Sequence, residues 1–135
     1  MRPVDPLAKI RLGEYSGGVT RTAAADAQGL IQAFAEPTRL RLLALLSRGE
    51  TCLCDLTGAL GIPQPTASRH LARLRRAGLV TVRKDGLWAW YSLAPARNAV
   101  HQKLIECLDA CAQEMPELSA DETRCQRLRD DRRCC

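Results

Sequence analysis

The stretch Gly61-Ile62-Pro63-Gln64-Pro65 interrupts a leucine-rich sequence and joins two segments that each carry a helical apolar stripe. Before it, Leu53, Leu56 and Leu60 recur at the spacing of one helix face, and after it Ala67, Leu71 and Leu74 do the same. The first helix is expected to begin near Thr51 as its N-cap and to stop at Gly61. The second is expected to start with Gln64 as cap and Pro65 at its first position, where proline's missing N–H is harmless, and to run to Ala77 before Gly78. Helix, short glycine turn and helix, with the basic residues on the second member, make a helix-turn-helix.

The flanking sequence completes a domain. Val80-Thr81-Val82-Arg83 and Leu87-Trp88-Ala89-Trp90-Tyr91-Ser92-Leu93 are β-rich runs around Lys84-Asp85-Gly86, and Asp-Gly between such runs signals a hairpin. A basic hairpin after a helix-turn-helix gives the wing of a winged fold. Upstream, residues 23–35 read as a helix with Ala27, Leu30, Ile31 and Phe34 on one face. Pro37 opens a second helix whose leucines, Leu40, Leu42, Leu43, Leu45 and Leu46, cover nearly all sides, which makes it central. A last helix spans about 96–115 and ends at Pro116. The expected fold class is mainly α with a β-hairpin, a winged helix-turn-helix, dimeric through the first and last helices. Residues 1–21 read as a flexible arm with at most a short helix near 7–12, 22–116 as the DNA-binding and dimerisation domain, and 117–135 as a charged, cysteine-containing tail, disordered or loosely helical. No internal repeat is present.

Charge points to the partner. The chain carries +5, and residues 64–86 hold Arg69, Arg73, Arg75, Arg76, Arg83 and Lys84 against Asp85 alone, so this segment accounts for the whole imbalance. A compact basic patch is the electrostatic footprint of phosphate binding. With Ala67, Leu71 and Leu74 inward, Thr66, Arg69, Arg73 and Arg76 project from the opposite side. Arginine can bridge guanine edges or grip phosphate, Thr66 and Ser68 fit near base edges or backbone, and Gln64 lies at the end that enters the groove. Arg83 and Lys84 at the hairpin are expected on phosphate. His70 falls near the buried edge and reads as structural, and Trp88 and Trp90 read as hairpin packing. The partner is therefore expected to be double-stranded DNA. No stretch approaches the roughly 20 apolar residues of a membrane span, and no acid–base pair, nucleophile constellation or phosphate loop points to an enzyme.

Seven cysteines are many for 135 residues. The N-terminus Met1-Arg2-Pro3-Val4-Asp5-Pro6 lacks the apolar run of a signal peptide, so a cytoplasmic chain with reduced thiols is expected, and the odd count argues against a fully paired framework. Cys52 and Cys54 fall at the start of a helix, where the dipole and free N–H groups favour thiolate. On a regular helix, residues i and i+2 lie about 200° apart and do not face each other. Joint chelation would therefore need that first turn to open. The plainer alternative is two small apolar residues beside the leucine stripe. Cys107 and Cys111 lie one turn apart on the last helix, where they could share a ligand or continue the stripe of Val100, Leu104, Leu108 and Met115, an expected dimer seam. Cys125, Cys134 and Cys135 lie in the tail, and adjacent cysteines could supply a further sulfur. With only His70 and His101 and no carboxylate cluster, hard-metal sites are not expected.

Four segments in order resemble the ArsR/SmtB family of metal-sensing repressors over about residues 28–115. They are Glu36-Pro37-Thr38-Arg39-Leu40-Arg41-Leu42-Leu43, the box Cys52-Leu53-Cys54-Asp55-Leu56, Gln64-Pro65-Thr66-Ala67-Ser68-Arg69-His70-Leu71 with the following Leu74-Arg75-Arg76-Ala77-Gly78-Leu79-Val80, and Trp90-Tyr91-Ser92-Leu93. The box looks most like the arsenic-responsive branch, although Thr57 stands where that branch usually has a third cysteine. The resemblance implies a homodimeric repressor that releases operator DNA on binding an effector, As(III) or Sb(III), and so derepresses resistance genes. It implies metal ligation by Cys52 and Cys54, with Cys107, Cys111, Cys125, Cys134 or Cys135 open as the third sulfur. A sensor of cadmium, lead or mercury, or of thiol oxidation through Cys107 and Cys111, is the alternative within that class. A thiol-rich arsenic carrier without DNA binding is the alternative outside it, and a carrier has no need of the +5 segment.

Overall fold

A computed structural model describes residues 23–131. The expected arm at 1–21 and the cysteines Cys134 and Cys135 lie outside the described residues. The elements are α1 (Ala23–Phe34), α2 (Pro37–Leu46), β1 (Thr51–Cys52), α3 (Leu53–Leu60), α4 (Gln64–Arg76), β2 (Val80–Asp85), β3 (Trp88–Leu93), α5 (Ala99–Glu114) and α6 (Pro116–Asp131).

Helix α2 is the centre, as its all-round leucines imply. Residues 42–46 are all buried, and α1, α3, α4, α5, α6 and β3 pack around it. Its first turn is closed by the Glu36 carboxylate, which accepts the Arg39 N–H at 2.8 Å. The core is aliphatic, built from Leu30, Leu42, Leu43, Leu45, Leu56, Leu71, Leu74 and Leu79, with Tyr91 and Phe34 at its edges.

Several boundaries differ from the sequence reading. Thr51 is not the cap of α3. Thr51 and Cys52 form a short strand antiparallel to β3, with Thr51 opposite Tyr91 and Cys52 opposite Trp90, so the hairpin becomes a three-stranded sheet in the order β1-β3-β2. The cap is Cys52, in an extended conformation and without a side-chain cap bond. Pro63 rather than Gln64 caps α4, which puts Gln64 first and Pro65 second. The hairpin turn is Gly86-Leu87, because β2 continues through Lys84 to Asp85, which pairs with Trp88. Gly86 takes φ 62° at the first loop position, as two-residue hairpin loops require.

The last helix of the sequence reading is α5, and a further helix follows it in the expected tail. Helix α5 is capped by the Asn98 side chain, which accepts the His101 N–H at 2.8 Å. Pro116 ends it and opens α6, a 16-residue helix where a loose tail was expected. The buried residues of α6, Leu118, Asp121 and Cys125, lie at helical spacing, but the central one is acidic and so hides the stripe. Asp121 is tolerated because Arg41 meets both its oxygens at 2.8 Å and Arg124 meets it at 2.5 Å. Leu108, expected in a dimer seam, is 1% exposed and buried within the chain.

Gly78 follows α4 at φ 82°, and a Cβ there would lie 1.7 Å from Arg97 Nη1. That guanidinium caps α4 by donating to the carbonyls of Ala77 at 2.9 Å and Gly78 at 3.3 Å, and it pairs with Asp26 of α1 at 3.1 Å.

Candidate nucleic-acid interface and thiol site

The reading face follows from the burial of α4. Ala67, Leu71 and Leu74 are fully buried, which leaves Gln64, Arg69, Arg73, Arg75 and Arg76 exposed and Thr66 and Ser68 half-buried. Among the described residues, no carboxylate pairs with Arg69, Arg73, Arg75 or Arg76. These charges are therefore available to an outside anion. His70 lies inward at 3.6 Å from Glu36, the cap of α2, in keeping with a structural role. Burial works to raise the Glu36 carboxyl, but the amides of Arg39 and Thr38 and the neighbouring His70 and Arg39 outweigh it and hold the group below its ordinary value.

The wing is divided. Lys84 is exposed. Arg83, which lies opposite Trp90 in the register, stacks 5.6 Å from the Trp90 ring and forks onto Glu50 at 3.1 and 2.8 Å. That pairing lowers the Glu50 carboxyl and raises the Arg83 guanidinium. Arg83 thus ties the residue before β1 to the wing. Trp90 is half-buried and Trp88 is 43% exposed.

Beside this clamp lies the thiol pair. The sulfurs of Cys52 and Cys54 are 3.1 Å apart. The helical-wheel objection does not apply, because Cys52 belongs to a strand and only Cys54 lies within α3. An extended residue followed by a helix turns the two side chains to one side. No helical turn has to open. Thr57, which stands in place of a third cysteine, donates its hydroxyl to the Cys54 carbonyl at 2.9 Å and so holds the turn that carries the thiol. Asp55 is the buried third member: one ligand atom each of Cys52, Cys54 and Asp55 lies within 4.8 Å of the others. Sequence spacing alone passed over Asp55, although it stands inside the box. Reduced thiols were expected throughout. Cys52 is disulfide-bonded, whereas Cys54, Cys107, Cys111 and Cys125 are not in disulfides.

Cys107 and Cys111 are brought together too, with sulfurs 3.6 Å apart, on a face of α5 where Cys107 is exposed and Cys111 half-buried. Burial, followed by the neighbouring Cys107, pushes the Cys111 thiol up. They do not join Cys52 and Cys54, since α5 packs on α1, α2 and α6 rather than on α3. Cys125 is 3% exposed in the core, and burial pushes its thiol up as well.

Comparison with known proteins bears on the whole arrangement. A family model described as "Bacterial regulatory protein, arsR family" matches residues 36–82. The arsenical resistance operon repressor of Escherichia coli K12 is 46% identical over 86 residues, 63% of this chain and 74% of that protein. Its namesake in Staphylococcus aureus is 39% identical over 80 residues, 59% of this chain and 74% of that protein. Among solved structures, the transcriptional repressor BigR of Xylella fastidiosa shares 32% identity at a TM-score of 0.57, covering 67% of this chain and 89% of its own. A homodimeric winged helix-turn-helix domain from Mycobacterium bovis, Mb0332, shares 26% at 0.59, covering 79% and 93%. No helix among the described residues is long and apolar enough to cross a membrane.

Proposed function

We propose, from the premise that this chain belongs to the ArsR family of bacterial regulatory proteins, that it is a homodimeric repressor whose operator complex comes apart when As(III) or Sb(III) binds the reduced thiols of Cys52 and Cys54. Membership of the family makes it a transcriptional repressor with a DNA-binding winged helix-turn-helix, and not an enzyme. The metalloid, the dimer and the cytoplasmic setting belong to the proposal. Within it, residues 22–116 bind DNA and dimerise, and residues 117–135 form a cysteine-containing C-terminal segment.

One observation carries the reading: the two sulfurs meet at 3.1 Å where a strand and a helix join. Cys52 is in the sheet that carries the wing, and Cys54 is in the helix that leads through Gly61-Ile62-Pro63 into the reader. Trivalent arsenic takes thiolates in a pyramid. Drawing Cys52 and Cys54 onto one atom fixes the angle between strand and helix, and so the placement of wing against reader. A two-part DNA grip is lost when its parts no longer fit successive segments of the duplex. On this reading Gln64, Thr66, Ser68 and Arg69 lie nearest the bases, and Arg73, Arg76 and Lys84 hold phosphate. Arg83 would have to give up its fork onto Glu50 to turn fully to phosphate.

A second reading has its own observation. Asp55 beside the two sulfurs gives a mixed sulfur and oxygen set, which suits cadmium or lead better than arsenite. The test is a titration of the chain's own promoter duplex, followed by fluorescence anisotropy, with arsenite, antimonite, cadmium and peroxide. Release by the two metalloids at the lowest concentrations supports the first reading; release by cadmium or peroxide first replaces it. The carrier alternative takes over if the duplex never binds. In the same assay Arg69→Ala weakens the promoter complex by about 1–3 kcal/mol and weakens random duplex less. Equal losses on both duplexes would place Arg69 on the backbone alone.

A further inference from the structure

The connection from β3 to α5, residues 94–98, touches the end of the reading helix. Ala94 donates its N–H to the Leu79 carbonyl at 2.9 Å. The Arg97 guanidinium donates to the carbonyls of Ala77 and Gly78, at the negative end of the α4 dipole. On its other side it holds one oxygen of Asp26, in the first turn of α1, and Asn98 holds the second at 3.3 Å. Asn98 is also the cap of α5. The Arg97 backbone is fixed too, because its N–H donates to Nδ1 of the fully buried His101 at 3.3 Å. Burial, then the Arg97 charge, lowers the His101 imidazole below its ordinary value against the pull of Asp26. That favours the neutral ring this bond requires. One arginine therefore meets the end of α4, the start of α1 and the start of α5.

We infer that Arg97, held by Asp26, is a positioning residue that sets the angle of the reading helix against α1 and α5, and with it the half-site spacing the dimer accepts. The inference rests on the proposed dimer through α1 and α5, whose two readers must meet two half-sites at once. Ala67, Leu71 and Leu74 bury α4, but hydrophobic burial is non-directional. The planar Arg97 fork, with bonds to Ala77, Gly78 and Asp26, is directional. One base pair of spacing turns a half-site by about a tenth of a helical turn, so a loosely held reader tolerates spacings that a fixed one rejects. The guanidinium is 41% exposed, which makes direct phosphate contact the rival role.

Fluorescence anisotropy on the full reduced chain tests this with three duplexes: the promoter, the promoter with one base pair inserted between its footprinted half-sites, and a random sequence. Wild type should reject the altered spacing. R97A and D26N should each narrow that discrimination by about fivefold, the low end of coupling between sites. R97K, which keeps the charge without the planar fork, should behave like R97A, and R97A/D26N should go no further than either single change. A mere loss of folded protein lowers binding to all three duplexes alike and leaves their ratios unchanged. Unchanged ratios in R97A and D26N therefore overturn the inference, as does a wild type that accepts both spacings equally. Phosphate contact replaces it if R97A loses promoter and random duplex equally, with a salt slope reduced by about one, while D26N has no effect. Sedimentation of the wild type separates the premise: a monomer that still binds the promoter removes the dimer reading and the inference with it, whereas a dimer with unchanged ratios removes the inference alone.

Discussion

Cys52 and Cys54 bring their sulfurs to 3.1 Å, and Cys107 and Cys111 bring theirs to 3.6 Å, yet the two pairs have unlike surroundings. The first pair bridges two elements. Cys52 is fully buried and tied by strand pairing to the wing, Cys54 opens the helix before the reader, and Asp55 is the third group within reach. The second pair is on one helix, at a spacing that any α-helix brings together, with one thiol exposed. A ligand on Cys107 and Cys111 changes nothing about how elements sit relative to each other within the chain. A ligand on Cys52 and Cys54 cannot avoid doing so. Proximity of sulfurs is common to both pairs; leverage belongs to one.

The comparison can be broken by binding measurements. The largest effect expected is on arsenite affinity by calorimetry. C52S/C54S should lose at least the roughly 100-fold that even an outer-shell substitution can cost a metal site, and C107S/C111S should leave the affinity unchanged. Comparable losses in both would make the second pair a ligand as well.

Next in size is the latch that serves only the first pair. Asp121→Ala leaves Arg41 and Arg124 without their shared carboxylate, although both can turn partly to solvent, so the cost is about 2 kcal/mol by urea denaturation. Arsenite binding should weaken with it, because α6 no longer holds Arg129 on Thr51, the neighbour of Cys52. A stable Asp121→Ala protein with unchanged arsenite affinity would remove α6 from the site.

A smaller and more selective effect is expected at Asp55. Asp55→Asn should weaken cadmium binding by about tenfold and leave arsenite nearly untouched, since the metalloid prefers thiolate to carboxylate. A loss for arsenite as large as for cadmium would show that the carboxylate positions the thiols rather than coordinating.

The smallest effect concerns the second pair by itself. Burial, then Cys107, raises the Cys111 thiol above its ordinary value. A raised value means the protonated form persists to higher pH, so at neutral pH Cys111 should alkylate more slowly than an ordinary thiol and catch up only as pH climbs past the usual thiol range. Rapid labelling at pH 7 would mark it as an activated thiol and reopen a redox role.

The reader and the central helix were legible in the sequence because their signals are local. The period of Ala67, Leu71 and Leu74, the break at Gly61-Ile62-Pro63 and the Asp85-Gly86 pair need no distant partner to be read. The pairing of Cys52 with Cys54 could be suspected from composition, but its geometry could not. Treating Cys52 as helical set the two sulfurs on opposite sides, and what corrects this is strand pairing with Trp90, a partner 38 positions away. Helix α6 was missed for a related reason. Its buried stripe runs through Asp121, which reads as surface until Arg41, 80 positions earlier, supplies the counter-charge. Arg83 reads as a free wing cation, and only the fold reveals its fork onto Glu50. Local periodicity survives in a one-dimensional reading; a long-range pairing that changes the meaning of a residue does not.

The central claim is that the strand–helix junction at Cys52 and Cys54 governs the hold on DNA. Its most direct test is arsenite-driven release of the promoter duplex, measured side by side on wild type, C52S/C54S and C107S/C111S in reduced form. Wild type and C107S/C111S should release at the same arsenite concentration, while C52S/C54S binds the duplex as tightly as wild type and keeps it throughout the titration. Release of C52S/C54S at the wild-type concentration would contradict the account.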